Sequence, residues 1–365
     1  MTNLFNGIYK NKKVLITGHT GFKGSWLSLW LTKMGADVIG YSLEAPTEPN
    51  HYGLLNLDII SMDGDIRDYE KLRDVIARYE PEIVFHLAAQ PLVRYSYENP
   101  IDTFDTNVMG TVKVFEACKK SKTVKAIVNV SSDKCYENKE WIWGYRETDK
   151  MGGYDPYSAS KGCSELVTSS YRNSFFNTLN YKEEHNTLLA SCRAGNVIGG
   201  GDWGVDRLLP DIMQAINLKQ TVEIRNPNAV RPWQHVLEPL SGYLLVGQKM
   251  LEGKKDFAEG WNFGPSDESF LTVKEIVKEV KLNWDIVDFE ILLASGQLHE
   301  ANLLKLDSTK ALSKLHWKTV WDTKRTLGVV VDWYKEFYEN NEIKTLDDLN
   351  NYVESAKDKK IEWAM

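Results

Sequence analysis

Ser132-Asp133-Lys134 and Tyr157-x-x-x-Lys161 are the residues of this chain whose types and spacing could carry a reaction. Residues four apart on a helix share a face, so Tyr157 and Lys161 can point into one site. An unperturbed phenol titrates near ~10, and a neighbouring ammonium favours the phenolate, which would make Tyr157 a base usable near neutral pH. Placed beside a hydride acceptor, such a base takes the proton of an alcohol while hydride leaves its carbon. Alone, the pair is a common accident and reads more readily as a solvated helix face. Ser132, just past the apolar stretch ending at Val130, offers a hydroxyl to the same oxygen, and Asp133 beside Lys134 offers an acid and a base for a second step.

A hydride acceptor needs a binding turn, and Thr17 to Gly24 reads Thr-Gly-His-Thr-Gly-Phe-Lys-Gly. The apolar Val14, Leu15 and Ile16 precede Gly18, Gly21 and Gly24, and a helix patterned by Trp26, Leu27, Leu29, Trp30 and Leu31 follows. The first glycine allows a tight turn, the second a close backbone approach to phosphates, and the third helix-on-strand packing, with N–H groups at the helix start facing the anion. Thr20, Phe22 and Lys23 lie in that turn, and the implied ligand is a dinucleotide. The spacing differs by one residue from the usual fingerprint, and Lys23 precedes Gly24, so the order of a P-loop is missing.

A carboxylate usually ends the second strand of such folds to hold ribose hydroxyls, but Tyr41-Ser42-Leu43 stands there. Ser42 is expected to bond more weakly and the adenosine side to bind less tightly. No Arg or Lys between Tyr41 and Asp58 awaits a 2′-phosphate, which disfavours NADP, although Lys23 keeps it open.

The elements that must position these residues alternate along the chain. Strands are expected at 13–17, 37–42, 59–63, 83–88, 126–131 and 187–193, and helices at 22–34, 69–79, 100–120 and 157–176. This is an α/β pattern that predicts a Rossmann-type doubly wound parallel sheet, with ligands outside the carboxyl ends of its strands. After about Gly200 a strand at 221–225 and helices at 236–250 and 272–283 predict a smaller α/β lobe over the cleft. Residues 1–190 are therefore expected to form the dinucleotide-binding domain, with later segments returning to it, and 191–340 mainly the substrate lobe. The stretch 341–365 reads as a charged tail, a surface helix or frayed end.

Lys and Arg total 44 against 51 Asp and Glu, a net charge of −7, which argues against a nucleic-acid surface and leaves anions to locally placed cations. No apolar run suits a membrane span and Met1 to Asn11 lacks a signal-peptide core, so a cytoplasmic chain without membrane attachment is expected. Cys118, Cys135, Cys163 and Cys192 are scattered, and no His-Glu-x-x-His occurs. Buried thiols and no metal are expected.

Taken together, Thr17-Gly18-x-x-Gly21-x-x-Gly24, Asp65-Ile66, His86-Leu87-Ala88-Ala89, Asn107 and the Tyr157/Lys161 pair resemble, in order, the extended short-chain dehydrogenase/reductase family. The resemblance covers about Lys12 to Tyr338. It implies an NAD-dependent enzyme acting on nucleotide sugars, with Asp65 and Ile66 near the adenine and Leu87, Ala88 and Ala89 along the cofactor; Asn107 joins the cofactor set. Ser131-Ser132-Asp133-Lys134-Cys135-Tyr136, the run Arg193 to Trp203 and Arg231-Pro-Trp-Gln-His-Val236 resemble the branch that dehydrates CDP-glucose.

That branch implies oxidation at C4 with Tyr157 as base, Ser132 on the same oxygen and Lys161 on the cofactor ribose. Water then leaves across C5 and C6, with Asp133 as acid and Lys134 as C5 base, and hydride returns to C6. Lys134 must then lose its proton and Asp133 keep one; the plain alternative makes Lys134 an ion-pair partner of Asp133 or of a phosphate. Arg207 and Arg231 are expected at the diphosphate, Asn196 at a phosphate or sugar hydroxyl, and Arg94 on the sugar side. Trp203 and Trp233 either stack on ligand or fill the core. Family members pair through helices matching 100–120 and 157–176, which implies a homodimer or homotetramer. A nucleotide-sugar 4-epimerase shares everything except a need for Asp133-Lys134, and a cofactor sensor without catalysis would have little use for Ser132, Tyr157 and Lys161 together.

Overall fold

The computed structural model describes residues 1–224, 227–265, 270–284, 289–291 and 303–365. Seven strands form one sheet: β1 (Lys13–Thr17), β2 (Asp37–Ser42), β3 (Ile60–Asp63), β4 (Ile83–His86), β5 (Ala126–Val130), β6 (Leu188–Ala194) and β7 (Gly260–Phe263). Their order is β7-β6-β5-β4-β1-β2-β3, and every pairing is parallel. The order reverses between β1 and β4, the switch point where such sheets open a crevice.

Strand alternation divides the core. Val14 and Ile16 of β1 face one side with Ile83 and Phe85 of β4, against helices α1 (Phe22–Lys33) and, later in the chain, Leu237–Leu251. Leu15, Val84 and Ile127 face the other, against α2 (Tyr69–Tyr79) and α3 (Gly110–Lys120), with α4 (Pro156–Ser174) beside them. Asp68 caps α2 by accepting from Lys71 N at 3.0 Å, and Asp155 caps α4 by accepting from Ser158 N at 2.9 Å, with Pro156 in its first turn.

The smaller lobe packs α5 (Leu208–Asn217) with helices Val273–Asn283 and Thr323–Asn340 around Ile212, Met213, Ile276, Val277 and Trp333. The helix expected over 100–120 is interrupted: residues Asp105–Met109 take a π turn between Pro100–Phe104 and α3. Of the strand expected over 221–225, Val222–Ile224 is extended, and Arg225 lies outside the described residues.

Residues 341–365 have a buried face. Their helix Thr345–Asp358 buries Leu349, Tyr352 and Val353, and Phe5 stacks on Trp363 with ring centroids 5.1 Å apart. Buried Glu238, on helix Leu237–Leu251, accepts from Tyr352 OH at 2.8 Å and from Val320 N and Trp321 N, which ties this segment beneath the sheet. Among the described residues, no helix is long and apolar enough to cross a membrane.

Candidate active site

A cleft of about 1300 Å³ opens at the carboxyl ends of β1, β4, β5 and β6. Its floor begins with the glycine turn. Gly18 has φ +79°, and a Cβ there would lie 2.8 Å from Ala88 N; a Cβ on Gly24 would lie 2.0 Å from Gly18 O. Gly21 caps α1 with no side-chain bond, so the N–H groups of the first helical turn are free to meet an anion. These three glycines with the uncapped helix start fit the pyrophosphate of a dinucleotide.

Around the turn, Thr20 Oγ1 lies 2.8 Å from Ser42 Oγ, and Leu87, Ala88 and Ala89 continue β4 into the cleft wall. Asp65 and Ile66 line the same end, but the Asp65 carboxylate is held by Arg67, with Nη2 at 2.6 Å from Oδ2, and Arg67 also reaches Asp102 at 2.6 Å. Arg67 is thus a cleft cation that the motif reading passed over. Asn107 does not line the cleft. It is buried behind it, exchanging bonds with the Gln90 backbone and donating to Ser160 Oγ at 2.8 Å, so it shapes the wall instead of touching the cavity.

At the other end, Ser132, Asp133 and Lys134 leave β5 in a tight 3-10 turn and meet Tyr157 and Lys161 on the first turns of α4. Ser132 Oγ donates to Asp133 Oδ1 at 2.9 Å and accepts from Lys134 N at 3.3 Å, and its hydroxyl acts on the Tyr157 phenol in the direction that favours the phenolate. The ammonium groups of Lys134 and Lys161 lie 5.9 Å and 6.0 Å from the centre of the Tyr157 ring. The five groups converge on one cavity.

Burial dominates their titration. It pushes the Tyr157 phenol up to about 12 despite the opposing effect of the Ser132 hydroxyl, so the expected lowering by a neighbouring ammonium is not the net outcome. It pulls Lys161 down to about 8, and it raises Asp133 against the opposing charge of Lys134. Lys23 is also pulled to about 8, by burial first and then by Arg207, and it feels Asp133, Lys161 and Asp202. Lys23 therefore belongs to the reaction end as much as to the glycine turn.

The remaining expected contacts lie on the lobe side. Asn196 lines the cleft just past β6. Arg207 lines it too, its Nη1 2.8 Å from Asp202, and Arg94 pairs with Asp206 at 2.8 Å. Asp202 and Asp206, which the sequence reading did not single out, hold the two arginines. Arg231 stands in the strand Val230–Pro232, and its side chain lies outside the described residues. Trp203 and Trp233 are buried and present an edge to the cleft, Trp203 packing on Trp333 with centroids 5.7 Å apart. Cys118, Cys135 and Cys192 are buried thiols, and Cys163 is partly so.

A parallel sheet with a glycine turn at its switch point and a serine, tyrosine and lysine at one cavity defines a dinucleotide-dependent class acting on an alcohol. The chain matches the model of the GDP-mannose 4,6 dehydratase family over residues 15–328 and belongs to that family. A CDP-glucose 4,6-dehydratase of Salmonella typhimurium is 56% identical over 337 residues, 92% of this chain and 94% of its own. A CDP-paratose 2-epimerase of Salmonella typhi is 26% identical, covering 88% of this chain and 98% of its own. Among solved structures, UDP-glucose 4-epimerase of Thermotoga maritima with UDP-glucose superposes with a TM-score of 0.77 at 23% identity, over 90% of this chain and all of that one. A dTDP-glucose 4,6-dehydratase of Bacillus anthracis in complex with NAD gives 0.72 at 20% identity, over 92% and 99%. Those two likenesses show the fold.

Proposed function

We propose that the chain is an NAD-dependent 4,6-dehydratase that converts CDP-D-glucose to CDP-4-dehydro-6-deoxy-D-glucose. The observation that carries this is the meeting of an acid–base couple, Asp133 and Lys134, with Ser132, Tyr157 and Lys161 in the cavity that also holds the glycine turn. The choice of cytidine rests on the 56% identical relative.

NAD, when bound, supplies a hydride acceptor for C4 and a donor for C6, so the sugar shows no net redox change. Gly18, Gly21 and Gly24 with the start of α1 would hold its pyrophosphate, Thr20, Phe22, Lys23 and Ser42 would lie beside it, and Asp65, Ile66, Leu87, Ala88 and Ala89, which line the cleft, would line its path. Tyr157 takes the proton of the C4 hydroxyl, whose oxygen Ser132 also holds, and Lys161 orients the cofactor ribose and adds positive charge beside the phenol. The C4 ketone acidifies C5–H. Lys134 removes that proton while Asp133, whose hold on a proton burial strengthens, delivers one to the departing C6 hydroxyl, and water leaves. Arg207, Arg231, Arg94 and Asn196 serve the diphosphate and sugar, with Arg207 and Arg94 first giving up Asp202 and Asp206.

Apolar side chains of Ile101, Phe104, Met109 and Leu166 exposed on neighbouring helices support pairing of two copies through that face, in a cytoplasmic homodimer or homotetramer. The activity is tested by incubating the protein with NAD and CDP-, TDP-, UDP- or GDP-glucose and following the base-labile absorbance of a 4-keto sugar. CDP-glucose should be turned over best. A galactose epimer as sole product, or no product with any of the four, rejects the dehydratase reading. Lys134→Ala should stop elimination while C4 oxidation still forms reduced cofactor; unchanged turnover removes Lys134 from the mechanism.

A further inference from the structure

The loop carrying Ser132, Asp133 and Lys134 is tied at both ends to one buried ion pair that the reaction above does not use. Glu165 lies one helical turn beyond Lys161 and two beyond Tyr157 on α4, and Arg193 stands on β6. Arg193 Nη2 is 2.8 Å from Glu165 Oε2, with the two side chains 5% and 2% exposed. Ahead of the loop, Ser131 Oγ donates to Glu165 Oε1, and the Ser131 N–H donates to Cys192 O at 2.9 Å. Behind it, Arg193 Nη1 donates to Tyr136 OH at 2.5 Å, and Tyr136 OH donates to Asn262 Oδ1 at 2.8 Å. Ser191 Oγ gives the carboxylate a further donor at 2.7 Å.

We propose that Glu165 and Arg193 are positioning residues: their ion pair clamps Ser131 and Tyr136, hence the Ser132–Lys134 loop between them, against the Tyr157/Lys161 face, and the carboxylate sets a negative charge opposite Lys161. The inference rests on the assignment of that loop and face as the reacting groups. A plain core strut is the competing account, since buried ion pairs often stabilise no better than apolar packing. Two observations favour the clamp. The network touches the chain on both sides of the reacting triplet, at Ser131 directly before it and at Tyr136 two residues after it, one through each partner of the pair. Glu165 is also the strongest charge opposing the effect of burial on Lys161. Burial works to neutralise Glu165, but Arg193 and the donors from Ser131 and Ser191 outweigh it and keep it ionised. Other titratable groups reaching Lys161 are Tyr157 on its own helix, Cys135 on the loop with Lys134 across the Tyr157 ring, Lys23 on the glycine turn and His86 on β4.

The test measures kcat and KM against pH with NAD and CDP-glucose, and amide hydrogen exchange of residues 131–136 without ligand. In Glu165→Gln the alkaline limb of kcat should move about one pH unit toward acid, with KM within about threefold, because an opposite charge near an ionisable group is worth roughly that shift. Ser131→Ala leaves the ion pair intact but cuts its hold on the loop. It should quicken exchange of 131–136 about tenfold, leave β1 unchanged and lower kcat more than it raises KM. A folded Glu165→Gln with the wild-type pH profile overturns the charge part of the inference. Should Glu165→Gln fail to fold, Ser131→Ala decides, and wild-type exchange and kcat in that variant overturn the clamp. A wild type that makes no 4-keto product overturns the reading of the site, while the exchange measurement still decides whether the ion pair holds the loop.

Discussion

The two ends of the cleft are held by ion pairs of opposite character. At the glycine-turn end, Arg67 and Asp65 are 32% and 28% exposed, and the anion site itself consists of backbone N–H groups with no side-chain cap. At the reaction end, Arg193 and Glu165 are almost wholly buried, and Tyr157, Lys161 and Asp133 all titrate away from their ordinary values because water is excluded. Solvent screens the first pair and leaves it worth little, whereas the second is the pair proposed to set the geometry and charge of the groups assigned to the reaction. A ligand that exchanges can be gripped by backbone; chemistry needs a dry and rigid wall.

The sharpest break in this contrast is Tyr157→Phe, which should lower kcat about 10³-fold, the scale of a lost general base, while NAD affinity measured by titration stays within a few-fold. Gly24→Ala should do the reverse. Its Cβ would strike Gly18 O at 2.0 Å and distort the turn, so NAD affinity should fall about 100-fold, a loss of ~3 kcal/mol. Calorimetric titration of both variants checks whether the two ends separate binding from chemistry.

A pH series sharpens the comparison. Lys161 titrates at about 8 in the fold, below its ordinary 10.5, so its ammonium is present below pH 8 and lost above it, and kcat should decline on that limb. The same depression means that the unfolded chain binds more protons at Lys161 between pH 8 and 10.5, so this residue makes stability rise with pH across that window. Lys161→Met should flatten that part of the rise in denaturant midpoint. The smallest effect belongs to Arg67→Ala, where a screened pair predicts no more than about a threefold change in NAD affinity. A hundredfold loss there would erase the distinction between the two ends.

Much of this architecture is legible in the chain because the decisive signals are local. Strands 13–17 and 37–42 are apolar runs bounded by polar or glycine residues, and they end where the pattern ends. The glycine turn and Tyr157/Lys161 each fit within one turn and helix, so spacing alone brings their members together. What spacing could not give is pairing across long separations. Arg94 with Asp206 and Arg193 with Glu165 join residues that only the folded sheet brings close, and nothing near Asp202 marks it as the partner of Arg207 in the cavity. The π turn at Asp105–Met109 keeps the helical run of apolar residues going, so periodicity passes over it. The raised phenol of Tyr157 was equally hidden, because it sums the desolvation of a whole wall and not the charge of one neighbour.

The stacking of Phe5 on Trp363 and the bond from Tyr352 to Glu238 bear on how the molecule comes into being. Trp30 and Tyr9 share that aromatic layer, so the first-made portion of the sheet emerges from the ribosome with an oily face that waits for two helices made later, Leu237–Leu251 and Thr345–Asp358, to cover it. A fragment cut at residue 190 is expected to be collected by chaperones or to aggregate, even though it contains the whole glycine turn and Tyr157/Lys161.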